Sequence, residues 1–574
     1  MNKCRRVLEK YNIKMVGRVI DLKLKDLRVL EGRNIKGEEN LIFIDIEESE
    51  RKRLYWLISD YEFICRKMNM EGTLKEAIYN EFGGCAWLTY SNKELALFII
   101  ESLIEGVSAD KLLNEAVAKK QRIWEYNLLE ECSKKKIDFF KEDDEIIVGY
   151  GVNSKRISRE DYENKNYNLD LINNGVIPIV SITGTNGKTS TSRLIYKGFE
   201  NLGYFSGLAM TGGIIINNEF VKKGDTTGFY SAKKVLTNPK VEVGVLETAR
   251  GGILRKGLGF ENSKVAIITS LAEDHIGVDG IKDINDLLDI KLITTREVLP
   301  EGKVIIKAEP KLYEVLQTKE NLVLFNSKKN EYIEKHMKNG KEAWFVEDEN
   351  VIFFDGKDKN IISNIKDFKF THNGNSKTNI NNILVSIAAI YEVHKNLKEV
   401  VNSLKNIECD VYNNIGRQNI IELENFKIIL DYGHNPEAFE ELFYLANNIK
   451  RNKIISIVSS PGDRLDEYIK ELGRIAGKNS DTIIVKETFD RRGREELEIT
   501  NLIKSGINEI ENKSVEVLSI IDEEEAIKKA ISMAEEGDII VDFTQHLDVV
   551  IPVINKYLSN HGKETIEVDL EDFH

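Results

Sequence analysis

Apolar and polar positions alternate between two periods along this chain, and the change of period divides it. LIFIDIE (41–47) reads as a strand, and ERKRLYWLISDYEFICRKM (50–68) follows with the 3.6-residue spacing of a helix. NKELALFIIESLIEG (92–106) is a second helical pattern that stops at Gly106. The region 108–136 is a further helical stretch, with Ser108 as its expected cap. From residue 173 the pattern becomes short, nearly continuous apolar runs separated by helical segments: VIPIVSIT (176–183), VEVGVLE (241–247), KVAIITSL (264–271) and KVIIKAE (303–309). Such runs suit a parallel sheet covered on both faces. A second alternation begins after residue 409 with KIILDYG (427–433), KIISIVSS (453–460), TIIVKE (482–487) and DIIVDF (538–543). The expected division is an α+β domain over 1–136, a linker over 137–172 marked by the charged run KEDDE, and two α/β domains over 173–408 and 409–574. No internal repeat of fixed short period is present.

The most informative stretch is IVSITGTNGKTSTSRL (179–194). Strand, glycine loop, Lys-Thr and helix is the order a phosphate cradle requires. Glycines let backbone N–H groups turn toward anionic oxygens, and the helix presents its positive end. Gly184, Thr185, Asn186, Gly187, Lys188, Thr189 and Ser190 form the expected nucleotide loop. Lys188 reaches the terminal phosphates, and the Thr189 hydroxyl ligates Mg²⁺. The common phosphate loop has four residues between its glycines, whereas this one is G-x-x-G-K-T. Glu247 closes the next strand, where an α/β sheet places ligand-binding groups, and can hold the same metal. Asp274-His275 stands at the end of a third strand. Lys291 follows sixteen positions later in a helical pattern; periodicity alone makes it a solvated residue.

Length allows three or four domains at about 150 residues each. With 81 basic and 95 acidic side chains the net charge is −14, which disfavours nonspecific nucleic-acid binding. No apolar run approaches the ~18 residues that span a bilayer, and the N-terminus has no signal-peptide core, so no membrane association is expected. Cys4, Cys65, Cys85, Cys132 and Cys409 are scattered, without a C-x-x-C pair. That points to free thiols in a reducing cytoplasm.

GTNGKT, LETARGG, the DH pair and a downstream helical lysine together resemble the Mur ligase superfamily. Ile415-Gly416-Arg417 followed by DYGHNP (431–436) resembles its GR…DYAHNP pattern, with Gly433 in place of alanine, and NINNI (379–383) its Asn-rich helix start. DTTGFYSAKKVL, LETARGGILRKGLGF, SSPGDRLDEYIKELG and VKETFDRRGREE are closest to the C-terminal ligase half of cyanophycin synthetases, over about residues 173–574. RVLEGRNI…LIFIDIE faintly resembles the opening domain of those synthetases.

The resemblance implies a phosphate-loop, parallel-sheet central domain and a Rossmann-like C-terminal ligase domain. It implies ATP, two Mg²⁺ sites and activation of a carboxylate as an acyl phosphate that an amine attacks. Lys188, His275 and Lys291 take catalytic roles; Thr189, Glu247 and His275 hold metal, with Lys291 carbamylated in support. Arg417, Asp431 and His434 contact the nucleotide, and Asp463, Arg464, Arg491, Arg492 and Arg494 are substrate candidates. The substrates implied are an amino acid, arginine first, and an acidic peptide. The ATP-grasp domain that those synthetases carry between the two halves is missing here, so a separate ATP-grasp partner is expected, together with homo-oligomeric assembly. Two alternatives stand beside this: a ligase for a peptidoglycan precursor or folate-like glutamate substrate, and a non-catalytic nucleotide-binding subunit.

Overall fold

The computed structural model describes residues 24–568 apart from 48–50, 81–82, 136, 173–175, 274–275, 277–279, 451, 488–489 and 512–514. The chain divides into two compact units, Met1–Val176 with Gly251–Phe260, and Ile177–Arg250 with Glu261–His574.

In the first unit an antiparallel sheet runs in the order Leu24–Leu30, Leu41–Glu47, Gly83–Thr89, Leu74–Asn80. Ile42, Ile44 and Ile46 share one face, as the two-residue period requires, and lie in a core with Leu54, Leu57, Ile99 and Leu103. Helix Lys93–Ile104 starts where the Asn92 side chain accepts from Leu95 N. The stretch 108–136 is two helices, Ala109–Arg122 and Tyr126–Lys135, broken at Ile123, and the Ser108 side chain makes no capping bond.

Residues 137–172, expected as a linker, fold. Strands Phe139–Glu142, Glu145–Val148 and Lys155–Ser158 form an antiparallel sheet, and a capping box at Ser158 and Asp161 starts a short helix. The charged run KEDDE that suggested a linker is the end of one strand and its hairpin turn. Ile146, Val148 and Ile157 bury themselves with Leu128 and Cys132 of the preceding helix. The segment after strand Val243–Glu247 also belongs to this unit: Glu31 N donates to Lys256 O at 2.8 Å, and Leu258 N to Arg33 O at 2.9 Å.

The second unit holds two sheets. The larger has eleven strands. Its parallel centre runs Ser206–Met210, Val243–Glu247, Ile179–Thr183, Ser263–Ile268, Val298–Lys307, Leu322–Asn326, Ala343–Glu347. Antiparallel strands flank it: Gly213–Ile216 and Glu219–Lys223 at one edge, Asn350–Phe354 and Lys359–Asn364 at the other. Ile179–Thr183 and Val243–Glu247 are buried at every position, as strands covered on both faces must be. The smaller sheet pairs Asn419–Glu422 antiparallel with Lys427–Asp431, then continues in parallel through Ile539–Phe543, Ile454–Val458, Thr482–Val485 and Glu516–Ser519.

Candidate nucleotide and metal site

Strand Ile179–Thr183 delivers the glycine loop to the start of helix Lys188–Asn201. Gly184 has φ +150° and Gly187 φ +84°. A Cβ on Gly184 would meet Thr269 Oγ1 at 2.0 Å, so no side chain fits there. The neighbouring strand end pins the loop: Thr185 N donates to Ser270 O at 3.0 Å and Asn186 N to Ser270 Oγ at 2.9 Å. Lys188 Nζ donates to Thr185 O at 2.9 Å, which holds the ammonium over the loop.

Glu247 is the last residue of its strand, in register with Ile182 just before the loop. It is 2% exposed, not a surface carboxylate. Its oxygens accept from Thr189 Oγ1 at 3.2 Å, Thr211 Oγ1 at 2.9 Å and Thr211 N at 3.1 Å. A hydroxyl and a carboxylate this close form a hard-oxygen pair of the kind Mg²⁺ takes alongside phosphate oxygens. Asp274 and His275 lie outside the described residues. Lys291, which periodicity makes solvated, is buried at 3% exposure. Its helix Ile284–Leu292 also buries Leu287, Leu288, Ile290 and Leu292.

The other wall comes from the C-terminal sheet. Asn414 Nδ2 donates to Ser190 Oγ at 3.0 Å. The Arg417 guanidinium lies 4.5 Å over the Tyr432 ring. Asp431 ends its strand and accepts from Gln418 N at 2.9 Å and Gly433 N at 2.6 Å. Burial raises its carboxyl above the usual range, against the pull of Arg417. Lys188, Glu247, Asn382, Arg417, Asp431 and His434 border one cavity of about 240 Å³.

The sequence reading missed part of this wall. Asn186 and Asn435 exchange amide hydrogen bonds of 3.2 and 2.8 Å, and Asn186 Nδ2 also donates to Glu437 at 2.7 Å. Lys307 ends its own strand and bridges Glu437 at 3.0 Å and Glu309 at 2.7 Å. Burial pulls the Lys307 ammonium down, but the two carboxylates outweigh it and hold it above its usual range. Lys307 stands within the run KVIIKAE already read as a strand, and that placement was the available signal.

The five substrate candidates are elsewhere and are tied to one another. Arg464 Nη1 and Arg492 Nη1 both reach Asp463, at 2.9 and 2.7 Å. Arg491 pairs with Glu487 at 3.0 Å and Glu496 at 3.1 Å. Arg494 donates to Gly462 O, Arg464 O and Asp466 at 2.6–2.8 Å, stapling the two loops together. None of the five borders the cavity.

Comparison with known proteins finds two family matches. Residues 182–390 match the Mur ligase middle domain, and residues 416–543 match the Mur ligase, glutamate ligase domain. A cyanophycin synthetase of Nostoc sp. is 34% identical over 383 residues, covering 66% of this chain but 42% of that protein. The chain thus spans less than half the length of that relative. A UDP-N-acetylmuramyl-tripeptide synthetase of Borreliella burgdorferi is 27% identical over 391 residues, 64% of this chain and 71% of that one. Among solved structures, a bifunctional folylpolyglutamate synthase/dihydrofolate synthase with Mn, AMPPNP and L-glutamate bound has a TM-score of 0.47 at 17% identity, over 67% of this chain and 89% of that one. No helix among the described residues is long and apolar enough to cross a membrane.

Proposed function

The chain belongs to the Mur ligase family through its middle and glutamate ligase domains, and from that premise we propose that it joins a carboxylate to an amino acid amine at the expense of ATP. The observation that carries this reading is the Thr189–Glu247 oxygen pair at the foot of the glycine loop, faced across one cavity by Arg417 and Asp431. Lys188 and the start of helix Lys188–Asn201 neutralise the charge of a transferring phosphoryl group. Thr189 and Glu247 would hold a Mg²⁺, whose chemistry is to bind and neutralise phosphate oxygens. By the family resemblance, His275 and a carbamylated Lys291 would serve a second Mg²⁺, and Asp431 would contact the nucleotide. The carboxylate oxygen attacks the γ-phosphorus of ATP and expels ADP. The amine then attacks the acyl carbon at short range, expels phosphate and gives up its proton to solvent, a gain in proximity and in exclusion of bulk water from the anhydride.

The substrate class follows the cyanophycin synthetase relative: arginine added to aspartyl side chains of a preformed acidic peptide. A separate ATP-grasp protein would make the aspartate backbone, and the ligase would work in a homo-oligomer in the cytoplasm. The test is phosphate release by purified protein supplied with ATP, Mg²⁺, arginine and Asp-rich peptides, with products read by mass spectrometry. Expected are peptides heavier by arginine residues, and no polymer from free aspartate, arginine and ATP. De novo polymer would overturn the division of labour. A second reading, ligation onto a peptidoglycan precursor, has the tripeptide synthetase relative in its favour. Turnover indifferent to every acidic peptide but dependent on a UDP-muramyl peptide would select it.

A further inference from the structure

A second cavity of about 290 Å³ lies further along the phosphate-loop helix, bordered by Arg193, Tyr196 and Lys197. Leu208, Met210, Ile215, Phe220, Val411 and Ile415 give it apolar walls. Phe220 and Tyr412 keep 53% and 63% of their surfaces exposed. The guanidinium of Arg193 is part of this lining. Arg193 stands one helical turn after Thr189, hence on the same side of that helix, yet it borders this cavity and not the one beside the glycine loop.

The partners of Arg193 are poor. Its Nε contacts Met210 Sδ at 3.3 Å, and Nη1 reaches Asn413 O at only 3.5 Å. Thioethers are weak acceptors, and a guanidinium has five N–H donors to satisfy. Among the described residues no carboxylate stands within ion-pair distance of it. Glu247, whose charge acts on it, spends its oxygens on Thr189 and Thr211. Burial, and then the like charge of Arg417, pull the group down to about 10. Desolvating a charge without pairing it is costly, and a planar fork of donors matches a carboxylate.

We propose that this cavity is a binding site for a small carboxylate with an apolar body, of amino-acid to dipeptide size, whose carboxylate pairs with Arg193. The apolar walls take the body. Buried Tyr196, whose hydroxyl accepts from Asn218 N at 2.7 Å, and the exposed ring of Tyr412 complete the lining. Lys197, paired with Glu200 at 2.8 Å and 38% exposed at its side chain, adds positive charge at the rim. The site needs no nucleotide, so it stands or falls independently of the ligase reading.

The test is titration calorimetry on the full chain without nucleotide. The probes are N-acetyl-leucine, its neutral amide N-acetyl-leucinamide, and inorganic phosphate. N-acetyl-leucine is expected to bind at least about tenfold more tightly than the amide, the scale of a charged hydrogen-bonded pair. Arg193→Met should remove that preference, and Arg193→Lys should keep part of it. Tyr412→Ala alters an exposed ring that no core needs, and should weaken binding of both probes while thermal unfolding stays unchanged. Equal binding of acid and amide, wild-type binding by Arg193→Met, or no binding of the acid up to about 10 mM, where weak small-ligand sites still register, would overturn the proposal. So would phosphate binding more tightly than N-acetyl-leucine.

Discussion

Lys188 holds its ammonium against the carbonyl of Thr185 inside a loop that only glycines can form. No apolar core depends on it. Lys188→Ala is therefore expected to lower ATP-dependent turnover by about 10²-fold or more, the scale of losing one preorganised charged donor, with thermal unfolding little changed. Wild-type phosphate release in that variant would remove the loop from the chemistry. Glu247 differs, because it is both buried and bonded. Glu247→Gln keeps the shape but removes the charge and one acceptor, so turnover should fall steeply and added Mg²⁺ should restore only part of it. A magnesium titration of wild type and variant checks this. Lys188 and Glu247 were legible in the sequence because local order, strand then loop then helix, fixes where such residues stand. The arginines around Asp463 were not legible in the same way. A charged stretch reads alike whether it faces substrate or staples two loops, and here Arg494 binds four groups of its own chain, Gly462 O, Arg464 O, Asp466 and Glu498.

At the scale of elements, near-continuous apolar runs marked parallel strands such as Ile179–Thr183, Val243–Glu247 and Ile454–Val458 within a few residues, because burial on both faces leaves no polar position. The parallel strands Ser206–Met210, Leu322–Asn326, Ala343–Glu347 and Glu516–Ser519 were not read. The edge hairpins Gly213–Lys223 and Asn350–Asn364 lacked that signature, since edge strands keep one face or one side in water. Residues 137–172 were hidden for a related reason: three four-residue strands carry too little period to outweigh KEDDE. Helix Glu331–Lys338 supports a prediction of its own. His336 is fully buried, its Nε2 donates to Leu322 O at 3.2 Å, and burial lowers it to about 4. The unfolded chain takes a proton near pH 6.5 that the folded one refuses until about pH 4. The stabilisation is complete above pH 6.5 and is lost as pH falls toward 4. Thermal unfolding measured from pH 7 to 4.5 should show a melting temperature that falls more steeply for wild type than for His336→Gln. The two proteins share their carboxylate titrations, so parallel slopes would exclude His336 as a cause.

At the scale of the whole second unit, the two sheets meet through polar groups around the glycine loop. Asn186 belongs to that loop, while Asn435 and Glu437 open helix Pro436–Ile449 of the other sheet. Lys307 neutralises Glu437 and Glu309 together, and burial raises the Glu309 carboxyl despite that cation. Removing the lysine alone leaves two carboxylates uncompensated beside a cavity meant for phosphates. Breaking a fully buried ion pair by losing one partner costs about 3–5 kcal/mol. These side chains keep 19–28% of their surface, so the cost here lies below that, and the remaining negative charge should repel a triphosphate. Lys307→Met is therefore expected to lower the melting temperature and to raise KM for ATP more than it lowers kcat. Glu437→Gln should be milder, because an amide oxygen still accepts from Asn186. The double variant Lys307→Met, Glu437→Gln should then recover part of both losses, since one of the two uncompensated carboxylates is gone. Such non-additivity is the signature of residues that act through one another. Strictly additive effects on KM and melting temperature would show that Lys307 acts on the nucleotide alone and takes no part in joining the sheets.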